Sequence, residues 1–213
     1  MTESLTAEIL LQAYAAGVFP MAQSRDDPEL FWMDPALRGV FELENFHISR
    51  SLARKIRKNA FEIKVNTSFM QVVAGCADRT ETWINAPLLD LYADLHHKGH
   101  AHCLEVWQNN LLVGGVFGLT IGGAFFGESM FSRQKDASKI ALAYLMDRLR
   151  IGGFRLFDTQ FITPHLASLG AVEIKRADYH FQLQDALMLD ADFLHQGQTP
   201  SPYLVLQRNT QTS

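Results

Sequence analysis

The hydrophobic pattern changes period several times along the chain, and each change predicts an element. Residues 5–16 carry apolar positions at helical spacing up to Gly17, and Val18 to Met21 reads as extended. Residues 22–29 are polar and loop-like, and the aromatic-rich runs 31–33 and 38–41 are expected to fold back on the main body. Residues 49–58 fit a helix with Leu52 and Ile56 on its packing face. Phe61 to Val65 alternates as a strand, and Asn66, Thr67 or Ser68 is placed to cap a helix ending near Ala77. Asn85 and Pro87 open a further helix that Gly99 stops after Lys98. Three alternating runs, 102–108, 111–120 and 124–129, are separated by Asn109-Asn110 and Gly122-Gly123, which predicts a meander of hairpins. Asp136 is expected to cap a largely apolar helix, 137–151. A strand at 154–160, a short helix at 165–169, a strand at 171–174 and a helix at 179–188 follow; the tail beyond Gln196 carries little pattern.

The resulting order is strand, two helices, antiparallel meander, helix, strand, helix, strand. It is the element order of the GCN5-related N-acetyltransferase fold, an α/β mixed sheet with helices on both faces. The expected organisation is a small N-terminal domain, residues 1–60, that includes the basic helix, and an acetyltransferase-like catalytic domain, residues 61–213. In the strand 154–160, Asp158 and Gln160 fall on one face near its end, where open sheets place reactive groups; ordinary loop polarity is the bland alternative.

Composition narrows the class. The chain has 213 residues, 47% of them hydrophobic and 15 of them Phe, enough for a substantial core. The net charge of −4 argues against indiscriminate nucleic-acid binding but leaves room for a local basic patch. One such patch stands out. Arg50, Arg54, Arg57 and Lys58 lie at i, i+4, i+7 and i+8 of the predicted helix, with Lys55 beside them and no acid among them. Such a stripe suits a polyanion, although a solvated face would also contain it. No basic-then-apolar leader and no long apolar run appear, and Cys76 and Cys103 match no ligand spacing, so a cytoplasmic protein without disulfides or membrane segments is expected.

Generic motifs contribute little. Ser132-Arg133-Gln134-Lys135 has the S-x-x-K form without its companions, and Gly127-Glu128-Ser129-Met130-Phe131 fails as a nucleophile elbow at its last position. His96, His97, His100, His102 and Cys103 fit no standard metal spacing, so no metal is expected. Glu128 lies amid Phe125, Met130 and Phe131, where an unpaired carboxylate is costly, so it is expected to face solvent, a cation or a substrate ammonium and to share a cleft with Asp158 and Gln160. The junction 133–138 contains no glycine to cradle a pyrophosphate, which disfavours coenzyme A as acyl donor and, with the basic helix, suggests a donor carried on RNA.

The sequence also resembles the leucyl/phenylalanyl-tRNA–protein transferases. The matching runs include Gly17-Val18-Phe19-Pro20, His47-Ile48-Ser49-Arg50-Ser51, Thr82-Trp83-Ile84, Glu105-Val106-Trp107, Gly127 to Ser132, Ala137-Ser138-Lys139, Phe157-Asp158-Thr159-Gln160 and His165 to Ala171. The resemblance implies transfer of Leu, Phe or Met from aminoacyl-tRNA to the α-amine of proteins beginning with Arg or Lys, which marks them for degradation, with no metal or coenzyme. It also implies catalytic roles for Asp158 and Gln160, and tRNA contact by Arg50, Arg54, Arg57 and Lys58. An apolar aminoacyl pocket is implied at Met21, Trp83, Val116, Phe125 and Met130. On this reading Asp158 holds the Gln160 amide, whose carbonyl accepts a hydrogen bond from the attacking amine, and Glu128 helps bind the cationic N-terminal residue. Two positions depart from the family pattern: Met21, where Trp is usual after Phe-Pro, and Thr163-Pro164, where Asn is frequent. An acyl-CoA acetyltransferase and a non-catalytic RNA- or degron-binding protein are the competing classes; the oligomeric state is open, with a monomer compatible.

Overall fold

The computed structural model describes residues 5–27 and 29–210. In chain order the elements are α1 (Ala7–Ala15), β1 (Phe19–Met21), β2 (Phe31–Met33), β3 (Leu37–Phe41), a 3-10 turn (Leu43–Asn45), α2 (Arg50–Arg57), β4 (Glu62–Val65), α3 (Phe69–Ala77) and α4 (Ala86–His97). Then follow β5 (Ala101–Gln108), β6 (Leu111–Ile121), β7 (Ala124–Ser132), α5 (Ala137–Ile151), β8 (Leu156–Gln160), α6 (Pro164–Ala167), β9 (Ala171–Lys175), α7 (Arg176–Leu187) and α8 (Pro202–Thr210).

Seven strands form one mixed sheet in the order β4-β5-β6-β7-β8-β3-β9, and β1 pairs with β2 in a separate ribbon. The meander is antiparallel, and Asn109 and Asn110, both at positive φ, make the tight turn its first hairpin needs. Strand alternation then builds two cores. Phe125, Phe157 and Phe41 point to the face covered by α2, α5 and α8, whereas Phe126, Leu156 and Val40 point to the face covered by α1, α3, α4 and α7. The acetyltransferase-like mixed sheet with helices on both faces, expected from element order, is present.

β7 and β8 run parallel, but their pairing stops at Phe126 and Asp158 although β7 continues to Ser132 and β8 to Gln160. The two strands splay apart, and the opening between them holds the candidate site. β8 turns instead to β3, with Gln160 opposite Gly39. A Cβ on Gly39 would sit 2.8 Å from the Phe161 carbonyl carbon and 2.9 Å from the Ile162 nitrogen, so the chain leaving β8 packs where only glycine leaves room.

β3, from the segment read as N-terminal, lies inside the large sheet between β8 and β9, so that sheet takes strands from both sides of residue 60. Strand identity there is set by long-range pairing, which a five-residue run cannot announce. The tail beyond Gln196 contains α8, which buries Val205, Leu206 and Asn209 against α5 and α2. With so few inward residues its helical period is faint. Asp136 occupies the N-cap position of α5 at φ 67° without a side-chain capping bond, because its carboxylate accepts a hydrogen bond from Lys55 instead (3.3 Å).

Candidate active site

Where β7 and β8 separate, a cavity of about 240 Å³ opens beneath the β1–β2 ribbon. Met21, Trp83, Val116 and Met130 supply apolar wall, and Glu128 and Gln160 supply polar groups. Phe125 is not part of this wall. Its ring lies in the core behind, 5.1 Å from that of Phe157 and 5.9 Å from that of Phe193, because strand alternation turns it to the α5 face.

Asp158 does not reach the cavity either. It is fully buried, and Arg38 grips it from β3, Nε donating to Oδ1 (2.9 Å) and Nη2 to Oδ2 (2.7 Å). Tyr179 of α7 donates to Oδ2 (2.9 Å), and the Gln160 backbone N–H donates to Oδ1 (2.8 Å). The Arg38 guanidinium lies between the rings of Phe19 and Tyr179, 4.4 and 4.3 Å from their centroids, and its Nη1 donates to the Gly17 carbonyl (3.0 Å). Five N–H donors in a rigid fork suit arginine to this crowded position.

The expected contact between Asp158 and the Gln160 amide is thus replaced by one to the Gln160 backbone. An aspartate bonding the N–H two residues on closes a tight turn, and here it fixes Gln160 at φ 59°, a conformation uncommon for a residue with a side chain. That turn aims the Gln160 side chain across the splay. Its hydrogen-bonding surroundings orient the amide so that Nε2 donates to the Gly127 carbonyl (2.8 Å) and the Thr159 carbonyl (3.0 Å). With both amide hydrogens used, Oε1 is the atom left to accept from a donor in the cavity. The amide bridges β7 and β8 just beyond the point where their ladder ends.

Glu128 forms the second buried polar cluster. Tyr14 of α1 donates to Oε1 and Tyr92 of α4 to Oε2, each at 2.7 Å. The carboxylate is enclosed rather than open to bulk solvent, while the residue lines the cavity. Burial pushes it up to about 7, against the two tyrosine hydroxyls that favour the charged form; Asp158 raises it further and Arg38 lowers it. A carboxyl with its folded-state value above its ordinary 4.5 binds protons more tightly folded than unfolded. It therefore contributes stability below about pH 4.5 that is lost as pH rises through about 7. Glu128→Gln is expected to abolish this slope: relative to that variant, the native protein should lose roughly 3 kcal/mol in denaturant titrations between those pH values. Parallel stability curves would remove Glu128 as the source.

The four basic residues Arg50, Arg54, Arg57 and Lys58 are all exposed, and among the described residues none of them is in an ion pair. Ser49 caps their helix by accepting from the Leu52 N–H (3.3 Å), and Leu52 and Ile56 anchor it. Lys55 alone turns inward to the Lys135 carbonyl and Asp136. The histidine-rich segment is spent on structure: His96 bonds the Ala101 carbonyl (2.8 Å) and stacks on Phe69, and His102 bonds Asn66 (2.9 Å) and stacks on Phe193. Thr163 lines the cavity while its hydroxyl caps α6 by accepting from the Leu166 N–H (3.2 Å).

Arg38, Tyr14, Tyr92 and Tyr179 were not legible as site residues. The tyrosines share helix faces with Leu10, Leu88 and Leu183, positions that read as plain core. Arg38 did carry a signal: a lone cation alternating with Val40 in an apolar strand demands a buried acid.

Comparison with known proteins places the chain in a family. The family models for the leucyl/phenylalanyl-tRNA protein transferase and for its N-terminal domain match residues 40–184 and 3–36. A leucyl/phenylalanyl-tRNA–protein transferase of Cereibacter sphaeroides (strain KD131 / KCTC 12085) is 61% identical over 210 residues, covering 99% of this chain and 98% of that protein. One of Ruegeria sp. (strain TM1040) is also 61% identical, over 99% of this chain and 100% of its own. Among solved structures, FemX superposes with a TM-score of 0.52 at 10% identity, covering 78% of this chain and 66% of that chain, a likeness of fold. By full-length similarity, the chain belongs to the leucyl/phenylalanyl-tRNA–protein transferase family of aminoacyltransferases.

Proposed function

We propose that this protein moves Leu, Phe or Met from its tRNA to the α-amine of proteins beginning with Arg or Lys, in the cytoplasm, and so commits them to degradation. The observation that carries this reading is the splay between β7 and β8, where an apolar cavity meets the Gln160 carbonyl and the buried Glu128. The aminoacyl side chain occupies the wall of Met21, Trp83, Val116 and Met130, where the flexible thioethers adapt to branched or aromatic shapes.

The ester of an aminoacyl-tRNA is already activated, so positioning supplies much of the catalysis. The neutral amine nitrogen attacks the ester carbonyl, an amide bond forms, the bond to the ribose oxygen breaks, and the amine proton ends on that oxygen. Gln160 Oε1 accepts a hydrogen bond from the amine and aligns its lone pair; an amide is too weakly basic to take the proton outright. Asp158 is a positioning residue that holds the Gln160 backbone turn. Glu128, with lone pairs left beside its two tyrosines, attracts the cationic first residue of the acceptor. Arg50, Arg54, Arg57 and Lys58 meet tRNA phosphates. We place the small N-terminal unit before β3, near residue 36, since β3 belongs to the catalytic sheet.

The test is incubation with labelled leucyl-tRNA and a peptide starting with Arg, in parallel with labelled acetyl-CoA. Label should reach the peptide from the tRNA alone; transfer from acetyl-CoA, or from neither, would overturn the reading. Reversing Arg54 and Arg57 to Glu should weaken tRNA binding and flatten its salt dependence by about 0.9 in log–log slope per lost phosphate contact. An unchanged slope would move the RNA-binding surface elsewhere.

A further inference from the structure

A second cavity, of about 410 Å³, adjoins the first and shares Arg79 and Met130 with it. Its polar lining is Asp78, Arg79, Ser132, Arg133, Ser138 and His165. None of these groups takes part in the chemistry above. On its far side the loop from Arg133 to Ser138 meets the basic helix, because Lys55 of α2 donates to the Lys135 carbonyl and to Asp136. The cavity therefore lies between the exposed cations of α2 and the reactive splay.

Its groups are undercommitted. Arg79 donates to Ser129 Oγ (3.4 Å) and to the Met130 carbonyl, and Arg133 donates to the Leu112 carbonyl (3.5 Å), which leaves spare N–H groups on both guanidiniums. The opposing carboxylate, Asp78, pairs with Arg133 at 3.4 Å with both side chains largely exposed, so it holds Arg133 only weakly. His165 Nε2 is buried with no partner, a cost that a ligand oxygen would relieve. Burial and the nearby Lys139 lower the His165 imidazole from its ordinary value, so it is neutral near pH 7 and an Nε2–H tautomer can donate to an anion. Lys135 and Lys139 extend the positive field around the loop.

We infer that this cavity binds a backbone phosphodiester of the single-stranded 3′ end of the donor RNA, through Arg79, Arg133 and His165. The inference rests on the tRNA-donor reading: a strand held by α2 with its terminal ester at Gln160 passes through this space. The phosphate then fixes the distance from the last nucleotide to the cavity, and the subsite selects a polynucleotide-linked ester over a free aminoacyl nucleoside.

Binding of fluorescein-labelled CpCpA and of adenosine, which carries no phosphate, tests this without requiring transfer. The native protein should bind CpCpA more tightly than adenosine. Arg133→Ala and His165→Ala should each reduce that preference about tenfold, the loss expected for one charge-assisted contact. The salt slope for CpCpA should fall by about 0.7 in Arg133→Ala. Adenosine binding reports whether the variants remain folded. Equal affinity for the two probes in the native protein, or an unchanged preference in both variants, would overturn the subsite. CpCpA binding that follows the expected pattern without transfer from charged tRNA would sink the transferase reading and leave the subsite standing.

Discussion

Replacing Arg38 by methionine is expected to destabilise the fold by about 3–5 kcal/mol, because it strands a fully buried carboxylate. Asp158 would keep Tyr179 and the Gln160 N–H but lose the bidentate cation. Methionine fills the space between Phe19 and Tyr179, so the loss reads out charge rather than a cavity. Urea unfolding at pH 7 measures it. Combining Arg38→Met with Asp158→Asn should recover a substantial part of the loss, since no buried charge then lacks a partner. A cost below about 1 kcal/mol for Arg38→Met alone would mean that the ion pair is dispensable.

Removal of the Gln160 side chain is expected to lower kcat by roughly 10², the scale of losing alignment at a reacting centre, with little change in KM for the acceptor peptide. Alanine at φ 59° also carries backbone strain, so Gln160→Asn is the cleaner companion: asparagine tolerates that conformation yet ends one methylene short of the cavity. Both variants should fall together in single-turnover transfer from phenylalanyl-tRNA. Gln160→Glu would place a carboxylate against the Gly127 and Thr159 carbonyls and should cost stability as well as rate. Near-native turnover in the asparagine variant would end the orientation role.

Arg38 holds Asp158, Asp158 holds the backbone turn at Gln160, and Gln160 reaches across the gap left by a ladder that stops. The only member of the chain exposed to substrate is its last atom. A network this buried is costly when incomplete, which is why its distal end should be felt in stability and its proximal end in rate.

Much of this was determined by sequence alone. Period-two and helical spacing placed most elements, and the turn residues Asn109-Asn110 and Gly122 marked the meander. The separated motifs carried the family resemblance, and Asp158 and Gln160 were marked by their place at a strand's end. Local period and turn chemistry are properties of adjacent residues, so they are readable without a fold. Only the tertiary structure decided that β3 inserts between β8 and β9, which brings Arg38 from 120 positions away onto Asp158. It alone put Phe125 behind the cavity wall, enclosed Glu128 between Tyr14 and Tyr92, and turned Asp158 from the Gln160 amide to its backbone. Each of these depends on which strand pairs with which and where a ladder ends, and pairing between distant segments leaves no trace in the spacing of neighbours.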